Sequence, residues 1–102
     1  MADTARPKAV PTVQVDNERV RVTEWRFPPG GATGYHRHEY DYIVVPMTTG
    51  MLSMTGPQGD GQALLTTGKS YFRQAGVEHD VINSNPFEFV FVETELKQGG
   101  PR

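Results

Sequence analysis

Cysteine is absent from the 102 residues. No disulfide framework, thiolate metal site or cysteine nucleophile is therefore available, and a metal ion would have to be held by histidine, carboxylate, phenol or carbonyl. Long apolar runs are missing too. No stretch approaches the roughly 20 residues of a membrane helix, and Met1 to Val10 lacks the hydrophobic core of a signal peptide, so cytoplasm is the expected location. An excess of one charge is also missing. Lys+Arg of 10 against Asp+Glu of 12 gives a net charge of −2, with the basic residues scattered from Arg6 to Arg102. Nucleic acid and anionic membrane are poor partners for such a surface. Helical periodicity is the last absence: no window keeps apolar residues at i, i+3, i+4 and i+7 for more than a few residues before a Gly or Pro interrupts it.

What is present points to one soluble all-β domain. Hydrophobic residues at 36%, aromatic residues at 10% and charged residues at 22% are too apolar for a disordered chain and too polar for a membrane protein. A domain this small buries a limited share of its surface, so a closed barrel, a bound metal or a homodimer would each help to stabilise it. Residues 1–9 (MADTARPKA) read as a loose arm, 10–97 as the folded unit and 98–102 as a tail. Within the unit, short β-rich runs alternate with turn clusters, and GPQGDG at 56–61 is a strong hairpin loop. Eight or nine strands follow, a number that suits a sandwich or barrel. The run from Phe87 to Thr94 is apolar on both faces and should be a central strand. The run from Arg19 to Phe27 shifts phase between Val20/Val22 and Trp25/Phe27, which predicts a bulge or a crossing between sheets.

The chain has three histidines, and all fall in two of these segments. His36 and His38 are two apart, so on an extended strand their side chains leave the same face about 6 to 7 Å apart, close enough for one ion. His79 belongs to another candidate strand, HDVIN. Three clustered imidazoles in a barrel interior without a metal would need three separate sets of partners.

These residues carry a family resemblance. Gly30 to Gly50, GGATGYHRHEYDYIVVPMTTG, resembles the first cupin motif, and Gly68 to Asn83, GKSYFRQAGVEHDVIN, resembles the second, with Gly68, Gly76, His79 and Asn83 at the family spacing. The resemblance implies a double-sheet jelly roll, the cupin double-stranded β-helix, with His36, His38 and His79 as metal ligands. The usual glutamate ligand is missing. Its place is taken by Tyr42 or, with a longer gap, Ile43, and Gln74 stands where the second motif has Pro. Tyr42 is thus a candidate fourth ligand, catalytic group or hydrogen-bonding support. A centre without a carboxylate would carry extra positive charge and suit an anionic substrate. Fe(II) is the favoured ion, with Ni, Mn and Zn as alternatives.

The wording of the motifs is similar to short cupins associated with β-alanine degradation. It points to a metal-dependent enzyme of dioxygenase type, acting on a small organic acid or carbonyl compound in amino-acid catabolism. Two alternatives stay open: a non-catalytic cupin that binds or senses a metabolite, and an isomerase or decarboxylase using the ion as a Lewis acid. Of the other residues, Tyr35, Tyr40, Trp25, Phe27, Phe72 and Phe91 read singly as aromatic core, and Met47, Met51 and Met54 as core filler. Arg37 should face outward. Asn83 could equally fix neighbouring backbone or touch substrate. GxGxxG and P-loop patterns are absent, and no Ser-His-Asp set exists apart from the clustered histidines, which sets aside kinase, dinucleotide and serine-hydrolase chemistry.

Overall fold

The computed structural model describes residues 6–97. Nine strands, and among the described residues no helix, follow in order: β1 (Val10–Asp16), β2 (Val20–Phe27), β3 (His36–Arg37), β4 (Asp41–Pro46), β5 (Gly50–Thr55), β6 (Gly61–Leu65), β7 (Tyr71–Arg73), β8 (Glu78–Asn83) and β9 (Phe89–Leu96). They form two sheets, ordered β1-β2-β9-β4-β7 and β3-β8-β5-β6, and every strand pair is antiparallel. This is the double-stranded β-helix expected from the sequence.

Alternation along the strands decides what lies between the sheets. In β4, Tyr42, Val44 and Pro46 point inward and are buried while the residues between them are half-buried. In β9, Phe89, Phe91, Glu93 and Glu95 share the inner face and are all buried. Phe27 and Phe89 are fully buried, Leu52 and Val44 nearly so, and Phe27 packs on Phe91 with ring centroids 5.4 Å apart. Burial of each such side chain contributes about 1.5 to 3 kcal/mol. One end of the interior is therefore dry and aromatic. The other end holds Tyr42, His38, Glu93 and Glu95.

β9 lies between β2 and β4, the central position anticipated for this run. The predicted irregularity in β2 is displaced. β2 keeps an unbroken register with β9 from Val20↔Leu96 to Phe27↔Phe89, and the bulge sits in β1, between Val13 and Val15. Thr23, Trp25 and Phe27 take the inner face throughout, while Val20 and Val22 belong to the outer face, where Val22 pairs with Val15. An apolar outer row had the look of a phase change. Met47 and Phe72 are also more exposed than core filler would be, at 55% and 54%. Of the expected N-terminal arm, residues 1–5 lie outside the described residues, whereas Pro7 to Ala9 are tied to the barrel: Ala32 N–H donates to Pro7 O and Ala9 N–H to Ala32 O. The 98–102 tail also lies outside the described residues.

Candidate metal centre

The three histidines meet because two turns hold their strands in one register. His36 on β3 is the direct cross-strand partner of His79 on β8. Just beyond β3, His38 N–H donates to Val77 O and Gly76 N–H donates back to His38 O, both at 2.8 Å. Gly34 and Gly76 have φ of 88° and 99°, a left-handed backbone that glycine adopts without the steric cost a Cβ brings. These two turns deliver His36 and His79 to the space that His38 enters from the same side.

His38 Nε2 lies 3.0 Å from His36 Nε2 and 3.2 Å from His79 Nε2. The ring of His36 stands edge-on to the other two. Nδ1–H of His36 donates to Gly34 O at 2.8 Å. A carbonyl only accepts, so a neutral imidazole keeps its proton on Nδ1 and presents Nε2 as a lone pair, the tautomer a metal ligand needs. Burial pushes the His38 imidazole down to about 3 and the His79 imidazole down to about 4, helped by the neighbouring His36. Both are neutral donors at neutral pH. The donor set fits a divalent transition ion bound by imidazole nitrogen.

Tyr42 is placed against His38, with rings stacked at 3.9 Å and 16°. The lone pair of His38 Nε2 points along the imidazole plane, whereas the Tyr42 ring and its hydroxyl lie in a nearly parallel plane above it. This geometry suits a group that fixes the orientation of His38 and does not suit a direct Tyr42 bond to the ion. Burial also pushes the phenol well above its ordinary range, so it stays neutral.

Two acids face this space that the sequence reading missed. Glu93 Oε2 is 4.0 Å from His38 Nε2, and His38, Glu93 and Glu95 form a second group whose ligand atoms lie within 4.8 Å of one another. Glu95 accepts from Arg21 Nε at 2.7 Å. Glu93 has Trp25 as a hydrogen-bonding neighbour, and burial pushes its carboxyl up to about 7. The glutamate missing from the first motif thus has acids of β9 near its place: Glu93 and Glu95 stand beside His38. Their signal was period-2 continuation of the inner row Phe89 and Phe91. An open cavity of about 770 Å³ leads to the site past Arg21, Trp25, Glu93, His36 and His38.

The other aromatic and charged side chains of these segments fall elsewhere. Tyr35 and Arg37 are exposed, and the Tyr35 hydroxyl donates to Glu78. Asp80 accepts from Gly34 N–H, Asp41 accepts from Ala75 N–H, and Glu88 pairs with Arg26. Asn83 fixes backbone: its amide nitrogen donates to Phe27 O, Pro28 O and Phe87 O.

The pKa shifts predict how the metal-free protein responds to pH. Unfolded histidine titrates near 6.5, so between about 6.5 and 4 the unfolded chain protonates His38 and His79 while the fold keeps them neutral; stability falls as pH drops through that window. Glu93 acts oppositely. Its folded value of about 7 against an ordinary 4.5 makes the stability it contributes fade as pH rises from 4.5 through 7. Two groups outweigh one, so the thermal midpoint of metal-free protein is expected to peak near pH 6.5 and fall toward pH 4.5. A Glu93→Gln variant should lose the decline above 6.5. A midpoint level between pH 4.5 and 6.5 would contradict the assignment.

Comparison with known proteins places the chain in a family. The profile of the Cupin domain family (Cupin_2) matches residues 23–93. The chain is 62% identical over 94 residues to the β-alanine degradation protein BauB of Pseudomonas aeruginosa, covering 92% of this chain and 99% of that one. Among solved structures, a cupin domain protein from Bordetella pertussis superimposes with a TM-score of 0.89 at 65% identity, covering 90% of this chain and 96% of that one. An RmlC-like cupin from Methanocaldococcus jannaschii, 16% identical, shares the double-stranded β-helix with a TM-score of 0.72, covering 90% and 83% of the two chains. The chain belongs to the cupin family.

Proposed function

We propose that this cupin is a metal-dependent enzyme of dioxygenase type that acts on a small organic acid or carbonyl compound in amino-acid catabolism. The observation that carries it is the convergence of His36, His38 and His79 Nε2 within hydrogen-bonding distance of one another, with His36 locked in the ligand tautomer by Gly34 O. Fe(II) is the favoured ion, with Ni, Mn and Zn as alternatives. When bound, it supplies a Lewis acid toward a chelating oxygen pair and, as Fe(II), the capacity for oxygen chemistry. The name of the P. aeruginosa relative, which covers nearly the whole chain, supports the placement in amino-acid breakdown.

The chain's own groups then have separable tasks. The three imidazoles hold the ion, and Tyr42 keeps His38 in place by stacking. Glu93, pushed up to about 7, holds or releases a proton near neutral pH at a carboxyl oxygen beside the site. The open cavity admits a small substrate. The proposal also includes a cytoplasmic homodimer, supported by β1, an edge strand exposed along all seven residues with Val10, Val13 and Val15 uncovered. Among the described residues no helix is long and apolar enough to cross a membrane.

Oxygen uptake by protein loaded anaerobically with Fe(II), across a panel of small 2-oxo and 3-oxo acids, tests the reaction. Uptake with at least one acid, abolished in His79→Ala, is the expected result. Turnover without oxygen consumption would move the assignment to an isomerase or decarboxylase. No turnover with any metal, alongside tight metabolite binding, would leave a sensing module and sink the enzyme.

A further inference from the structure

A row of side chains on one face of the five-stranded sheet, buried at Tyr42 and Glu95 and exposed at its ends, Asp16 and Arg73, crosses the open end of the barrel. Cross-strand partners share a face, and the register runs Asp16↔Arg21, Arg21↔Glu95, Glu95↔Tyr42 and Tyr42↔Arg73. The charges at the left of this row pair off: Arg21 is bonded to Glu95 at 2.7 Å. At the right, the neutral ring of Tyr42 separates Glu95 from Arg73 by two strand spacings, roughly 10 Å between backbones. Arg73 is left over. Among the described residues it has no ion-pair or hydrogen-bonding partner, while Arg26 is engaged by Glu24 and Glu88, and Arg37 is exposed beside Gly76, outside the row.

Its position is next to the histidines. Arg73 is the direct neighbour of Tyr42, whose ring covers His38. It also lines, with Met54, Asp60, Val77, Glu78 and His79, a cavity of about 240 Å³. The guanidinium lies 5.6 Å from the centroid of Tyr71, a cation–π placement that steadies the side chain without neutralising it.

We propose that Arg73 is the anchor for a substrate carboxylate, holding the anionic end of a short organic acid on the β7 side of the histidine cluster. The inference rests on the proposed function and names its substrate class. A planar guanidinium with free donors matches a carboxylate fork to fork, and a lysine would supply only a point charge. Glu95 is already paired with Arg21, so on this side of the sheet Arg73 is the cation left free to meet a carboxylate. The acid is therefore oriented, its carboxylate toward β7 and its remaining oxygen toward the three imidazoles.

Isothermal titration of glycolate and 3-hydroxypropionate, each against its neutral amide, tests the anchor on wild type, Arg73→Gln and Arg73→Lys. Each protein is measured both metal-loaded and metal-free, with metal content determined alongside. Wild type is expected to prefer at least one acid over its amide. Arg73→Gln should weaken that acid by about ten- to a hundredfold, the cost of losing a charged hydrogen-bonding partner, and leave the amide and the metal content unchanged. Arg73→Lys should recover part of the loss. The proposal is overturned if Arg73→Gln binds acids as wild type does, if it weakens acid and amide alike, or if wild type binds acid and amide equally or binds neither. Should the protein take up no metal, the acid-to-amide ratio on metal-free protein still reads Arg73, so the two proposals fail separately.

Discussion

After dialysis against trace Fe(II) or Zn, His38→Ala is expected to retain no more metal than a protein without a site, and His36→Ala and His79→Ala to do little better. Two imidazoles cannot close the coordination that three provide. Loss of a group that merely supports a ligand costs about ten- to a hundredfold in affinity, and loss of a ligand should exceed that. His38 is the most exposed to this test because it is the shared member: its Nε2 is the one within 3.0 and 3.2 Å of the other two. Tyr42 separates support from ligation. Tyr42→Phe keeps the ring stacked on His38 and should keep the metal, whereas Tyr42→Leu removes the stack and should weaken binding by about tenfold, as a supporting group does. A Tyr42→Phe protein as poor in metal as His38→Ala would restore the phenol as a ligand. Equal metal content in wild type and all three histidine variants would remove the centre altogether. Added metal should also raise the thermal midpoint of wild type and leave that of His38→Ala unchanged, since only a ligand bound by the fold shifts unfolding.

How much of this site could be read from the sequence differs residue by residue, and the differences follow from the range of the interactions. The shared face of His36 and His38 is a local matter of strand parity, and the motif spacing brought in His79, so all three could be named before their register was known. The strands themselves were legible for the same reason, since alternation and Gly/Pro punctuation are written locally. Glu93 and Glu95 were not. In a strand, glutamate defaults to solvent, and only the contacts with Arg21, 74 residues away, and with His38 show why these two stay inside. The phase of β2 failed similarly, because Val20 and Val22 lie on the outer face, Val20 beside Leu96 and Val22 between Val15 and Thr94, and no local pattern distinguishes an apolar outer row from an inner one. For Tyr42, the motif fixed the position without fixing the role. Stacking and ligation differ by the angle of one ring, which depends on packing around it.

Asn83 is where the second large effect is expected, and there the readout is folding. The side chain is 1% exposed and fully engaged: its amide nitrogen meets Phe27 O, Pro28 O and Phe87 O at 3.3, 3.1 and 2.8 Å. Its carbonyl oxygen accepts from the backbone and side-chain nitrogens of Asn85 at 2.9 and 2.8 Å. Asn85 in turn holds both polar groups of Met51. Three chain segments thus depend on one buried amide. Asn83→Ala leaves several of these groups without partners, each worth about 1 to 3 kcal/mol, and with partial relaxation a loss of about 3 to 5 kcal/mol is expected. That is a large share of the roughly 5 to 15 kcal/mol that holds a domain folded. Asn83→Asp, although nearly the same shape, should be worse at pH 7, because it turns an anionic oxygen toward carbonyls that need a donor. Its pKa must rise in the fold, so its deficit should shrink as pH falls toward 5, when the carboxyl can keep a proton and donate it. Urea denaturation of the two variants at pH 5 and 7 reads both effects. A cost below about 1 kcal/mol for Asn83→Ala, within the range of an ordinary single hydrogen bond, would mean that water replaces the amide. Asn83 ends the strand that carries His79 and shares its parity. A variant that still folds should therefore bind metal less tightly only to the extent that β8 shifts, and Asn83→Ala with normal metal content but a lowered urea midpoint would place the residue in the scaffold and outside the reaction.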